Sequence, residues 1–139
     1  MAMSLRRRFV CWFALMLFAS APGFSIADEQ TFPFDRDLML DAAPMPGSKR
    51  IPMLQFDEDG AVSIDLWCAS LRGRADVGDD TITIVLGQAV PAPAQCSPER
   101  QSGDDALVAG LSQVTNWRRE GDIVELRGAI TLRFLLLTN

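Results

Sequence analysis

Leu54-Gln55-Phe56-Asp57-Glu58-Asp59-Gly60-Ala61-Val62-Ser63-Ile64-Asp65-Leu66 is the stretch that decides the fold class. Val62, Ile64 and Leu66 alternate with Ser63 and Asp65, the period of a strand with one buried and one wet face. Before them stand three acids and a glycine, Asp57 to Gly60, and the glycine supplies the positive φ of a tight turn. The preceding strand runs from Ile51 to Phe56, with Pro52 confined to a strand start or an edge because it has no N–H to donate. Strand, short turn and strand make a hairpin, so the sheet is antiparallel here.

The same grammar continues toward the C-terminus. Leu71 to Val77 reads as a third strand, followed by a turn at Gly78-Asp79-Asp80. Ile82, Ile84 and Leu86 alternate with Thr81 and Thr83 as a fourth. Gly87 to Pro98, rich in Ala and Pro, reads as an irregular connection. Ser102-Gly103-Asp104-Asp105 fits a capping box, with both acids at the positive end of the helix dipole. Leu107, Leu111 and Val114 then recur at helical spacing, and Gly110 allows close packing on the sheet at a cost of about 1 kcal/mol in helix propensity. A second hairpin follows: a strand through Trp117, a turn at Glu120-Gly121-Asp122, and Ile123 to Arg127. In the last strand Ile130, Leu132, Phe134 and Leu136 share one face. Leu135 and Leu137 break the polar alternation of the other, which is therefore either covered or exposed apolar surface. The sum is an α+β fold, a curved antiparallel β-sheet with one main α-helix packed on it.

Toward the N-terminus, residues 28–50 read as a lead-in. Thr31-Phe32-Pro33-Phe34 is placed to cover an edge of the core, Leu38-Met39-Leu40 is a short candidate strand, and Ala42 to Ser48 is loop. Residues 1–27 have the three zones of a signal peptide: Arg6-Arg7-Arg8, an apolar run from Phe9 to Ala19, and Ser25-Ile26-Ala27 at the cleavage point. The run of 11 residues is too short for a membrane span, which takes about 20. Cleavage after Ala27 is expected, leaving a periplasmic or secreted protein with no stable membrane span. Cys11 lies inside the run rather than at its end, which speaks against lipidation.

Cleavage leaves 112 residues, enough for one domain, here assigned to residues 51–139. They hold ten basic against 18 acidic residues, a net charge of −8. That balance argues against nucleic acid or an anionic membrane surface as partner. Two cysteines remain, Cys68 and Cys96. In an oxidising compartment an even pair in a small domain reads as a disulfide, worth about 3–4 kcal/mol for a loop of this length. A zinc site has too few ligands without His, and a redox pair would be spaced Cys-x-x-Cys.

The chain has no His and no Tyr. Ser-His-Asp and Cys-His systems are therefore excluded, and no phosphate-binding glycine loop occurs. The carboxylate pairs Asp57/Asp59 and Asp79/Asp80 sit in expected turns rather than across a cleft. Asp57 to Gly60 resembles the start of a calcium loop but lacks its terminal acid and flanking helices. No catalytic residue, cofactor or metal is assigned. Trp67 and Trp117, with Arg118 and Arg119 beside the second, are candidate partner contacts, set against the plainer reading of core indoles and solvated guanidinium groups.

In this order the elements resemble the META domain family, the HslJ-like heat-shock proteins. The likeness rests on Leu54 to Gly60, on Cys68 followed by Gly73, on Cys96-Ser97-Pro98-Glu99 ahead of the helix, and on Trp117, Gly121-Asp122, Leu126 and Leu132-Arg133-Phe134. It spans about residues 51–137. Trp67-Cys68-Ala69 stands where the family usually has Gly-Cys-Asn, and the family's early Trp after the first turn is missing unless Leu38 or Met39 takes its place. The resemblance implies a META/HslJ-like fold and a small envelope protein linked to stress or antibiotic tolerance. It supplies no active site. Two functional readings follow. One is a non-catalytic binding or accessory protein for an envelope protein or lipid-like ligand. The other is an inhibitor of envelope hydrolases, acting through Pro91 to Pro98, or an enzyme among them.

Overall fold

The computed structural model describes residues 31–90 and 96–138. The expected signal segment and its cleavage point lie outside these residues, as do positions 91–95 of the expected inhibitory loop. The order is β1 (Asp37–Leu40), β2 (Met53–Phe56), β3 (Ala61–Asp65), β4 (Ser70–Val77), β5 (Ile82–Leu86), α1 (Pro98–Leu111), β6 (Asn116–Glu120), β7 (Ile123–Arg127) and β8 (Thr131–Leu136). Eight strands form one antiparallel sheet in the order β5-β4-β3-β2-β1-β8-β7-β6. The sheet curls until its two outer strands meet. The Ile82 N–H donates to Thr115 O at 3.0 Å and the Trp117 N–H to Asp80 O at 2.9 Å. The result is nearly a barrel, closed over the first residues of β5 and β6.

The alternation read from the sequence sorts the side chains. Leu38, Leu54, Phe56, Ile64, Val124, Leu126 and Phe134 point inward and are at most 1% exposed. Each such burial removes apolar surface worth about 1.5–3 kcal/mol from water. The hairpin expected from Leu54 to Leu66 is present, with Gly60 at φ 85° and Val62, Ile64 and Leu66 in the core. At the C-terminal hairpin Gly121 takes φ 60°.

Two expectations change. The lead-in 28–50 contains β1, which lies in the middle of the sheet between β2 and β8 rather than outside it. Four residues followed closely by Pro44, Pro46 and Gly47 carry too little periodicity to announce a central strand. The helix starts at Pro98, not after Ser102. Ser97 is its N-cap, accepting the Arg100 N–H, and Pro98 occupies the first turn, where a missing N–H costs nothing. Ser102 thus lies inside the helix, and Asp104 is no cap.

Because the strands alternate in direction, the β1–β2, β3–β4 and β7–β8 connections leave one end of the barrel, and α1 lies across it. A Cβ on Gly103 would stand 2.6 Å from Met45 Cε and 3.2 Å from the Trp67 ring, so a glycine lets helix and loops approach. Gly110 rests against Ile130 and Leu132 in the same way, as the sequence suggested. At the opposite end Phe32 fills the opening, with ring centroids 4.9 Å from Phe34, 5.1 Å from Phe56 and 5.0 Å from Trp117. This is the cover expected of Thr31 to Phe34.

Candidate binding groove

In the β3–β4 connection the Leu66 N–H closes the turn on Ala69 O at 2.8 Å, and the amides of Trp67, Cys68 and Ala69 turn toward the helix, where no strand pairs with them. Asp104 takes the place of a strand. Its Oδ1 accepts the Trp67 N–H at 2.8 Å, and its Oδ2 accepts the Cys68 and Ala69 N–H groups, each at 3.1 Å. The carboxylate is 6% exposed, and hydrogen bonds to a charged acceptor are about twice as strong as neutral ones. Both oxygens are committed to backbone amides, which makes Asp104 a clamp on the loop.

A second tie runs to the same loop. Cys68 is bonded to Cys96, with Cα atoms 5.8 Å apart, just before the helix cap at Ser97. The loop is therefore held from the foot of α1 by the disulfide and from its second turn by Asp104. The Trp67 indole lies against Gly103, and its Nε1–H is buried without an acceptor among the described residues.

From β5 the chain runs as a strap past the start of β4. The Gly87 N–H donates to Arg72 O at 2.8 Å and the Val90 N–H to Ser70 O at 2.9 Å. Val90 borders two recesses. The larger, ≈ 650 Å³, lies over β3 and β4 and is lined by Ser63, Asp65, Ser70, Arg72, Gln88 and Val90 among others. The smaller, ≈ 300 Å³, lies against the helix and includes Cys68, Ala89, Gln101, Asp104, Asp105 and Val108. Both are within the size range of ordinary ligand sites. In the larger one Asp65 accepts the Ser70 hydroxyl at 2.6 Å and pairs with Arg50 at 3.3 Å. Among the described residues no group of three His, Cys, Asp or Glu side chains is placed to hold a metal ion.

The four residues proposed as partner contacts do not come together. Trp67 and Trp117 are both core side chains, and the Trp117 Nε1–H donates to Gly78 O at 2.9 Å. Their spacing from polar neighbours on the chain says nothing of which way the sheet turns them. Arg118 stands on the outer face, 3.3 Å from Glu120 and opposite Glu125 in register. Arg119 is half-buried and donates to Gly121 O at 2.9 Å and to Thr31 O at 3.5 Å. On this face Glu125 bonds Arg127, which holds its carboxyl below the ordinary carboxylate value; the charges of Arg127, Arg133 and Arg118 act in the same direction and partial burial against it.

Leu135 and Leu137 are half-buried. Leu135 lies between Met39 and Ile123 in register, with Met53 beyond Met39, an apolar row on the outside of the barrel. Asp104 was missed as a site residue because it was counted as part of a cap. With the helix started at Ser97-Pro98, Asp104, Leu107 and Leu111 fall on one face, and an acid on the apolar face of a helix is the signal that would have found it.

A family model for the META domain matches residues 37–138. No curated protein matches the chain. Among solved structures the chain is similar to a DUF4847 family protein from Bacteroides vulgatus, with a TM-score of 0.50 and 13% identity over 60% of this chain and 57% of that one. It is also similar to a protein solved by NMR, with a TM-score of 0.55 and 18% identity over 73% of this chain and 88% of the other. At these identities the likeness is one of fold. The chain spans little more than half the length of the Bacteroides protein.

Proposed function

The chain belongs to the META domain family, and on that premise we propose that it is an exported, non-catalytic binding protein of the cell envelope, serving stress or antibiotic tolerance. The observation that carries the binding reading is the strapped groove at the helix end, whose loop is fixed by both the disulfide and Asp104. A rim fixed in advance spends little ordering entropy when it takes a ligand. Export is supported by the three-zone segment at residues 1–27, and a periplasmic setting agrees with a bonded Cys68–Cys96 pair. The absence of His and Tyr from the sequence removes the commonest general bases and acids.

Native mass spectrometry of the protein recovered from the periplasm of an expressing cell tests this reading. The expected species has the mass of residues 28–139 less two hydrogens and carries an adduct released on mild activation. A full-length mass contradicts export. A processed protein that retains neither a small molecule nor a partner contradicts the binding reading.

A further inference from the structure

We propose that the larger recess, over β3 and β4, binds the C-terminal carboxylate of a short aliphatic peptide, with Arg72 as its cation. This rests on the binding reading above and names the ligand class for the larger of the two recesses the strap borders, which adjoins the one against the clamped loop at Val90.

The recess holds one acid and one base, and they are not partners. Asp65 takes Arg50 and the Ser70 hydroxyl, both on its Oδ1. Arg72 makes no side-chain hydrogen bond or ion pair among the described residues. It projects from the wet face of β4, directly opposite Ser63 on β3 in register. A guanidinium left over beside a carboxylate that already has its own cation, in a protein with an acidic surface, presents a planar fork of donors to an incoming carboxylate.

The strap supplies the rest of a peptide site. Gly87 and Val90 use their N–H groups on β4, while those of Gln88 and Ala89, between them, have no acceptor among the described residues. An extended peptide whose carboxylate sits on Arg72 has carbonyls to offer these donors, as a strand adding to an edge does. Val90, 64% exposed, forms an apolar wall suited to small aliphatic side chains. A free inorganic anion would use Arg72 and leave both the strap and this wall idle.

The test is an NMR titration of the oxidised protein as recovered from the expressing cell, with N-acetyl-Ala-Ala, its C-terminal amide, acetate and inorganic phosphate as probes. The proposal expects N-acetyl-Ala-Ala to shift the amides of Ser63, Ser70, Gln88 and Ala89. Binding should weaken about 10–100-fold for the amide and for Arg72→Gln, the loss of a charge-assisted hydrogen bond. Arg72→Lys should retain part of it. Arg72→Gln should melt with the parent, since the side chain holds nothing in the fold.

Equal binding of the amide, or unchanged binding by Arg72→Gln, overturns the proposal. Acetate or phosphate binding as tightly as the peptide overturns the peptide class and leaves a simple anion site. No response to millimolar peptide, from a protein freed of a native adduct that it carried on recovery, sinks this inference and leaves the binding reading intact.

Discussion

At one end of the barrel Phe32 packs edge-on against Phe56 and Trp117; at the other, α1 clamps the β3–β4 loop with a buried carboxylate and a disulfide. The aromatic end is closed chiefly by burial. Its rings meet edge to face, a preference that adds modestly to the area they bury, and single hydrogen bonds, from Trp117 Nε1 to Gly78 O and from Arg119 to Thr31 O, tie neighbouring segments to it. The helix end is closed by directional ties, one covalent and three charge-assisted, converging on three residues, Trp67 to Ala69. Apolar closure is enough to stabilise a fold. Directional closure also fixes where a particular loop stands, which is what a preformed ligand rim requires.

That contrast can be broken by mutation. Asp104→Ala should disturb the groove most, leaving three amides without their acceptor at a cost of about 3–5 kcal/mol. It should also shift the amides of Trp67 to Ala69 in a spectrum of the folded protein. Phe32→Ala should cost about as much, 3–5 kcal/mol by the usual penalty for a buried phenylalanine, yet leave the signals of Ser63, Ser70 and Gln88 in place. If both variants disturb the groove equally, the two ends are not distinct in kind. Chemical denaturation reads the energies, and the same samples give the spectra.

Replacing Cys68 and Cys96 together by Ser should destabilise the oxidised protein by about 3–4 kcal/mol in the chain-entropy model, with the Asp104 clamp still closed. An unchanged melting temperature would remove the disulfide from the account.

The smallest effect lies away from both ends. Glu125 titrates below its ordinary value of 4.5 because of Arg127, so its contribution to stability is complete above that value and is lost as pH falls through the lower folded one. Glu125→Gln should flatten that part of the acid melting curve while leaving the stability order of the other variants at neutral pH unchanged.

The two ends also differ in how far the sequence announces them. Phe32 and Phe34 were legible as core cover because aromatic residues have few other uses beside an apolar strand, and Cys68 with Cys96 was legible from compartment and count. The hairpins were legible from period and turn chemistry, because Gly60 and Gly121 sit where positive φ is needed. The strand at Asp37–Leu40 was readable only as a short possibility, since its place between β2 and β8 depends on pairings far off in the chain. The helix start slipped because Ser102 with Asp105 mimics a cap as well as Ser97 with Pro98 does. With it went the role of Asp104, whose three donors lie 35 to 37 residues away. The strap and its recess were not legible at all, since a groove is made by the distance between segments.

The most direct test of the account is site-specific photo-crosslinking in the expressing cell, with the photoreactive residue placed at Gln88 on the strap or at Glu58 in the β2–β3 turn of the aromatic end. Both positions are exposed and neither is held by a side-chain bond among the described residues. The account predicts a discrete adduct from position 88 and none from position 58. Adducts from position 58 alone, or equally from both, would contradict the assignment of binding to the helix end.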